Sequence, residues 1–194
     1  MSNSKFFAGV GARGTPRNIL KLMALCAKKL ESQGYSLSSG GAPGADSAFE
    51  EGIKDPRNKR IFLAMDCTKE AEEYSMKLHP APERCSPQAR KLHGRNAMIL
   101  LGENLDTPVE FVLCWTERGK TVGGTGQAIR IAKENGIPVF NMANPNWTKQ
   151  VAAFKAQKQG KVVETVKPTS TRFEDLLAKG KLSLNPENSN YYRR

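Results

Sequence analysis

The sequence predicts an α/β fold, a mostly parallel sheet with helices on both faces. Three observations predict it. Strand-like and helix-like patterns alternate from Lys5 to about residue 143. The strand segments are nearly continuous apolar runs, as strands buried on both faces are. Three of the strands run into glycine-rich turns that open helices.

Taken in order, Lys5–Val10 is a short apolar strand ending in glycines. Thr15 can N-cap the next helix with Pro16 at its first position. Ile19, Leu22, Cys26 and Leu30 repeat at helical spacing, and Gly34 is a C-terminal stop. Tyr35–Ser38 is a second strand and Ala45–Glu51 a second helix. Ile61–Ala64 reads as a third strand. Residues 68–95 are helical or irregular, interrupted by Pro80, Pro82 and Pro87. Periodicity does not decide whether Asn96–Leu101 is a strand or a helix end. Val109–Trp115 is a strong strand, 126–135 a helix stopped by Gly136, and Ile137–Asn141 a last strand.

Residues 144–194 are a basic helical extension in this reading. One helix covers Trp147–Gln157, and Thr171-x-x-Glu174 is a capping box for another. The end, Asn185–Arg194, reads as a flexible tail.

The chain has 194 residues and a formal net charge of +11. That length buries a full core without disulfides or a metal. The four cysteines include no C-x-x-C pair, and the two histidines share no ligand spacing with them. No metal and no cofactor is therefore expected, and a reducing cytoplasm is. No apolar run reaches 18 residues, and the first ten residues do not resemble a signal peptide, so no membrane partner is expected. The positive balance points to polyanions. From Asn141 onward there are ten Lys/Arg against four Asp/Glu, about +6 of the total.

Parallel α/β sheets bind ligands beyond the carboxyl ends of their strands, so the glycine turns there matter most. The first, Gly9-Val10-Gly11-Ala12-Arg13-Gly14, matches G-x-G-x-x-G. A dinucleotide site also wants an acid after the second strand, where this chain has Leu37-Ser38-Ser39, so NAD is not expected. Arg13 places a cation in the turn instead, which suits a phosphate; the alternative is a tight turn without ligand. The second turn is Ser39-Gly40-Gly41-Ala42-Pro43-Gly44-Ala45-Asp46. Its small residues expose backbone N–H groups as an anion nest does. Asp46 there either caps the helix or faces a ligand hydroxyl. The third is Gly119-Lys120-Thr121-Val122-Gly123-Gly124-Thr125-Gly126. It is not a P-loop, because Cys114 stands where the motif needs its first glycine. Gly123, Gly124 and Thr125 remain as a phosphate seat at a helix start.

These turns resemble those of the SLOG superfamily, which joins the DprA/Smf and LOG-like proteins, over about residues 5–143. Gly9-Val10-Gly11-Ala12-Arg13 is similar to its first-strand turn. Ser39 to Asp46 resembles its Ser-Gly-Gly-Ala-x-Gly-x-Asp loop. Leu92-His93-Gly94-Arg95-Asn96 resembles the Arg-Asn-Arg stretch of DprA and the Met-His-x-Arg-Lys stretch of LOG proteins. Gly123-Gly124-Thr125-Gly126 resembles the LOG Pro-Gly-Gly-x-Gly-Thr motif. The closest likeness is to small bacteriophage DprA-like DNA recombination mediators. The resemblance implies a Rossmann-like fold, a site for nucleotides or single-stranded DNA, and a homo-oligomer. It implies Gly11, Arg13, Gly14, Ser39, Gly40, Gly41, Gly44, Asp46, Arg95, Asn96, Gly123, Gly124 and Thr125 as binding residues.

Two other readings stand beside this one. The first is a LOG-type hydrolase of nucleoside monophosphates. Its catalytic glutamates would fall at Ile129 and Arg130, and its threonine at Gln127. Glycosidic cleavage needs a carboxylate, and Glu110 is the nearest replacement, with an ordinary strand-start role as its alternative. The balance leans toward a binder over an enzyme. The second is a non-catalytic binder or sponge for a nucleotide second messenger.

Other residues have two readings each. Arg84, Arg90 and Lys91 extend a basic track or are simply solvated. His93 reads as a hydrogen-bonding helix residue rather than a metal ligand. Trp115 stacks on a base or packs in the core. Tyr191, Tyr192, Arg193 and Arg194 suit loose nucleic-acid contact or a disordered tail. Cys114 reads as inert core.

Overall fold

The computed structural model describes residues 5–158. Five strands form one all-parallel sheet: β1 (Lys5–Gly11), β2 (Tyr35–Ser39), β3 (Lys59–Ile61), β4 (Phe111–Trp115) and β5 (Val139–Asn141). Their order is β3-β2-β1-β4-β5. The helices are α1 (Arg17–Glu31), α2 (Ala45–Glu51), α3 (Lys69–Lys77), α4 (Pro87–Leu101), α5 (Gly123–Glu134) and α6 (Trp147–Lys158). The architecture is Rossmann-like. The expectations at Thr171, Glu174 and Asn185–Arg194, including Tyr191, Tyr192, Arg193 and Arg194, lie outside the described residues.

Alternation along the strands sorts the core into two layers. Phe7, Phe111 and Leu113 face one side and pack with Leu22, Met23 and Phe49 of α1 and α2. Trp147, Val151 and Phe154 of α6 join them, and Phe154 stacks edge-on to Phe111. Ala8, Val10, Val112 and Cys114 face the other side and pack with α3, α4 and α5. Trp115 is half-buried against the first layer. Cys114 is fully buried in the second, and desolvation pushes its thiol up to about 12.

The order of the strands creates a switch point. From β1 the chain winds outward through β2 to β3, then crosses to β4 on the other side of β1. At such a point the loops leaving adjacent strands diverge and open a crevice. Here it opens between the loops after β1 and β4.

Three local expectations are corrected, and one that periodicity left open is decided. The first helix starts at Arg17 with Pro16 as N-cap. Thr15 does not cap it, because its hydroxyl donates back to Ala12 O at 2.7 Å. The third strand is Lys59–Ile61, not Ile61–Ala64. As an edge strand it pairs only with β2, and Arg60 lays its guanidinium 4.0 Å from the Phe6 ring centroid. Asn96–Leu101 is the end of α4, not a strand. This stretch is buried on all sides between α3, α5 and the sheet, which erases the 3.6-residue period. Val109 is not yet strand, since its N–H donates to Leu100 O at 2.8 Å. Among the described residues, no helix is long and apolar enough to cross a membrane.

Candidate functional site

A cleft of about 440 Å³ occupies the switch point. Its walls come from the end of β1 and its turn (Val10 to Arg13), from Ala42 and Asp46 of the second turn, from α4, and from the start of α5.

The first turn positions Arg13. Gly9 and Gly11 both make room for packing, and Gly11 also lines the cleft. A Cβ at Gly9 would stand 2.6 Å from the Phe49 ring, and one at Gly11 2.5 Å from the Ala45 Cβ. Both glycines therefore let α2 lie against β1. Arg13 itself is exposed on the cleft, and among the described residues it has no ion pair or hydrogen bond. Gly14 borders open space beside it.

The second turn is a tethered scaffold. Ser39 donates its hydroxyl to Gly9 O at 2.7 Å. Gly44, at φ +97°, presses on the first turn, and a Cβ there would meet Arg13 O at 2.7 Å. Arg95 reaches across from α4 and donates from Nη1 to Gly40 O at 2.6 Å. That Nη1 also lies 3.5 Å from Asp46 Oδ2. Any side chain at Gly40 would collide with the Arg95 guanidinium. Asp46 does not cap α2, whose N-cap is Gly44. Its Oδ2 instead accepts from the Ala42 N–H at 3.4 Å, within the turn.

The pair Arg95 and Asp46 is 8% and 4% exposed. Burial pushes the Asp46 carboxyl above its ordinary range, and the Arg95 charge opposes that. Burial likewise pushes the Arg95 guanidinium down, Asp46 opposes this, and Arg13 reinforces it. The two arginines thus sit close enough to repel each other across the cleft. Arg95 Nε is buried without a hydrogen-bond partner.

The third turn presents backbone. The amides of Gly123, Gly124 and Thr125 precede the first bonded amide of α5, Gly126 N–H to Val122 O. Nothing crowds Gly123 or Gly124 within 4 Å of a Cβ position. Asn96 donates from Nδ2 to Gly124 O at 3.0 Å and so ties this turn to α4. Val122, 66% exposed, adds apolar surface.

Of the residues expected to bind, Gly11, Arg13, Asp46, Arg95, Asn96, Gly123, Gly124 and Thr125 meet at the cleft. Gly14, Ser39, Gly40, Gly41 and Gly44 do not line it; those of the second turn shape its wall from behind. Glu110 lies at the opposite, amino end of the sheet, where Lys158 Nζ pairs with it at 3.1 Å. The positions matching LOG glutamates are also engaged elsewhere. Ile129 is core, and Arg130 donates from Nε to Gln127 Oε1 at 3.0 Å. Gln127, fully buried, donates from Nε2 to Ser75 O at 2.6 Å and clamps α5 to α3. Among the described lining residues the one carboxylate is Asp46.

Sequence reasoning missed Ala89, Leu92 and His93 as lining residues. With Asn96 they form one face of α4 at i, i+3, i+4 and i+7, a signal that required reading 87–101 as one helix. His93 is half-buried, and its imidazole is pushed down by burial first, then by His79, Arg130 and Arg95.

No protein-family model matches the sequence, and no curated protein matches it. Among solved structures, the chain is similar to DNA processing protein A from Helicobacter pylori, a structure concerned with its single-stranded DNA binding mode. The TM-score is 0.48 at 16% identity, over 91% of this chain and 81% of that one.

Proposed function

We propose that the protein binds single-stranded nucleic acid, DNA foremost, by holding phosphates in the switch-point cleft. One observation carries this reading. Two arginines, one of them unpaired, converge with the open first turn of a twelve-residue helix. That arrangement has an unmet demand for an anion, which a phosphate supplies. Val122 and Leu92 provide apolar surface beside it, where a base can rest. Exposed Arg118 and Lys120, shortly before Gly123, extend the positive track for a strand backbone. The +11 charge raises affinity without sequence preference. By the family resemblance, a role as recombination mediator and assembly as a homo-oligomer belong to the same reading.

A small-nucleotide reading stands second, because about 440 Å³ suits one nucleotide as well as a strand segment. The hydrolase reading is weaker, since Asp46 is committed to Arg95 and Ala42.

Anisotropy of a labelled single-stranded oligonucleotide, measured across a salt series, tests the proposal. Affinity should fall steeply with salt, with a slope reporting several phosphates. Arg13→Ala should weaken binding about tenfold and reduce the slope by about one. No binding at low salt, or a flat slope, overturns the reading. Displacement by micromolar mononucleotide turns it into the small-nucleotide one, and release of free base into the hydrolase one.

A further inference from the structure

The connection between α3 and α4 folds back on α4. Its course is set by local bonds. His79 N–H donates to Met76 O at 3.2 Å and closes α3. A short 3-10 turn at Pro82–Arg84 follows, with Cys85 N–H on Pro82 O at 3.2 Å. Arg90 donates from Nη2 to Pro82 O at 3.0 Å and holds the connection against α4. The result brings His79, Cys85 and His93 together. One ligand atom from each lies within 4.8 Å of the other two. The two imidazole rings are 4.8 Å apart between centroids. Cys85 Sγ is 3.6 Å from His79 Nδ1. An independent observation points the same way: His93 Nδ1 is buried and has no hydrogen-bond partner.

We propose that His79, Cys85 and His93 form a binding site for a soft divalent metal ion, zinc foremost, with a fourth position left for water. The fold thus brings together residues whose spacing along the chain shows no ligand pattern. Tetrahedral zinc with Zn–S of about 2.3 Å and Zn–N of about 2.0 Å places sulfur and nitrogen roughly 3.5 Å apart. The sulfur and His79 Nδ1 already stand at that separation. The widest pair closes by rotation of half-buried side chains. In the metal-free chain His79 Nδ1 accepts from the Ala81 N–H at 3.2 Å. The metal takes that same lone pair, so no tautomer change is needed. Binding releases the Cys85 thiol proton to solvent, and the sulfur electron pair goes to the metal.

The ligand set argues for a soft ion. Thiolate and imidazole select zinc or copper over magnesium and calcium, which take oxygen donors. Arg95 and Arg130 act on His93 and oppose a bare dication. The Cys85 thiolate offsets one of its charges.

The test uses the metal alone, so it stands apart from the single-strand reading. The reduced full chain is titrated with zinc against a chromophoric chelator, and with cobalt(II) as a spectroscopic stand-in. One equivalent of zinc should bind. Cobalt should give the visible bands of a tetrahedral site and a near-ultraviolet thiolate-to-cobalt band. Cys85→Ser should abolish the thiolate band. His79→Ala and His93→Ala should each weaken uptake at least about a hundredfold. Cys67→Ser, outside the cluster, should retain the band and shows that a cysteine change alone does not disturb it. Absence of stoichiometric uptake overturns the proposal. So does a thiolate band that persists in Cys85→Ser or disappears in Cys67→Ser.

Discussion

The two faces of the sheet are built differently. The α1/α2/α6 face is aromatic and closed: Phe7 stacks on Phe111 at 6.0 Å, and Phe140 and Phe154 complete the cluster. The α3/α4/α5 face is lined mostly by aliphatic residues and carries buried polar tethers. Arg95, Asn96 and Gln127 each leave a helix to bond a distant backbone carbonyl. The first face holds the fold, and the second aims loops at the cleft. The difference teaches that in this chain stability and site geometry rest on separate layers, joined through β1 and β4.

Three measurements can break or sharpen that division. The largest effect is expected from Phe111→Ala. Phe111 is fully buried at the centre of the aromatic face, and its loss should destabilise by about 3–5 kcal/mol in urea unfolding. Single-strand affinity of the remaining folded protein should be unchanged at low temperature. A parallel loss of affinity would break the division.

Arg95→Ala comes next. It leaves Asp46 buried without its counter-charge and should cost about 3 kcal/mol. Unlike Phe111→Ala, it should also weaken single-strand binding, because the second turn loses its anchor at Gly40 O. Adding Asp46→Ala should restore part of the stability but not the binding. Full recovery of both would show the pair to be only structural.

The smallest effect concerns Cys114, on the polar-tethered side. Its thiol titrates near 9 when exposed and at about 12 in the fold. The unfolded chain therefore releases this proton first, and stability falls as pH rises between those values. The slope from this group is about 1 kcal/mol per pH unit. Urea midpoints from pH 8 to 10.5 should decline less steeply in Cys114→Ala. Equal slopes would place the thiol in contact with water and the layer as less closed than described.

Much of this architecture was legible in the sequence. The alternation of elements and the apolar runs at Phe7–Val10 and Phe111–Cys114 are local patterns, and they specify a parallel sheet. Arg13 and Gly123 to Thr125 could be picked out because they stand in glycine turns after strands, the pattern expected of a phosphate seat, whereas Arg95 and Asn96, inside α4, were marked by the family resemblance. α4 was illegible in part, because its last eight residues are buried all round and carry no amphipathic stripe. With the helix unread, the face shared by Ala89, Leu92, His93 and Asn96 could not be seen.

By itself, then, the sequence determined the fold class, the three glycine turns and the excess of positive charge, since each depends on near neighbours in the chain. Only the tertiary structure decided what each residue does. It gave Gly9 and Gly11 their contacts with α2, and it paired Glu110 with Lys158. It turned Arg95 toward Asp46, and it drew His79 and Cys85 onto His93. Those outcomes depend on which distant surfaces meet when α2, α3 and α4 close on the sheet, and no spacing along the chain encodes that directly.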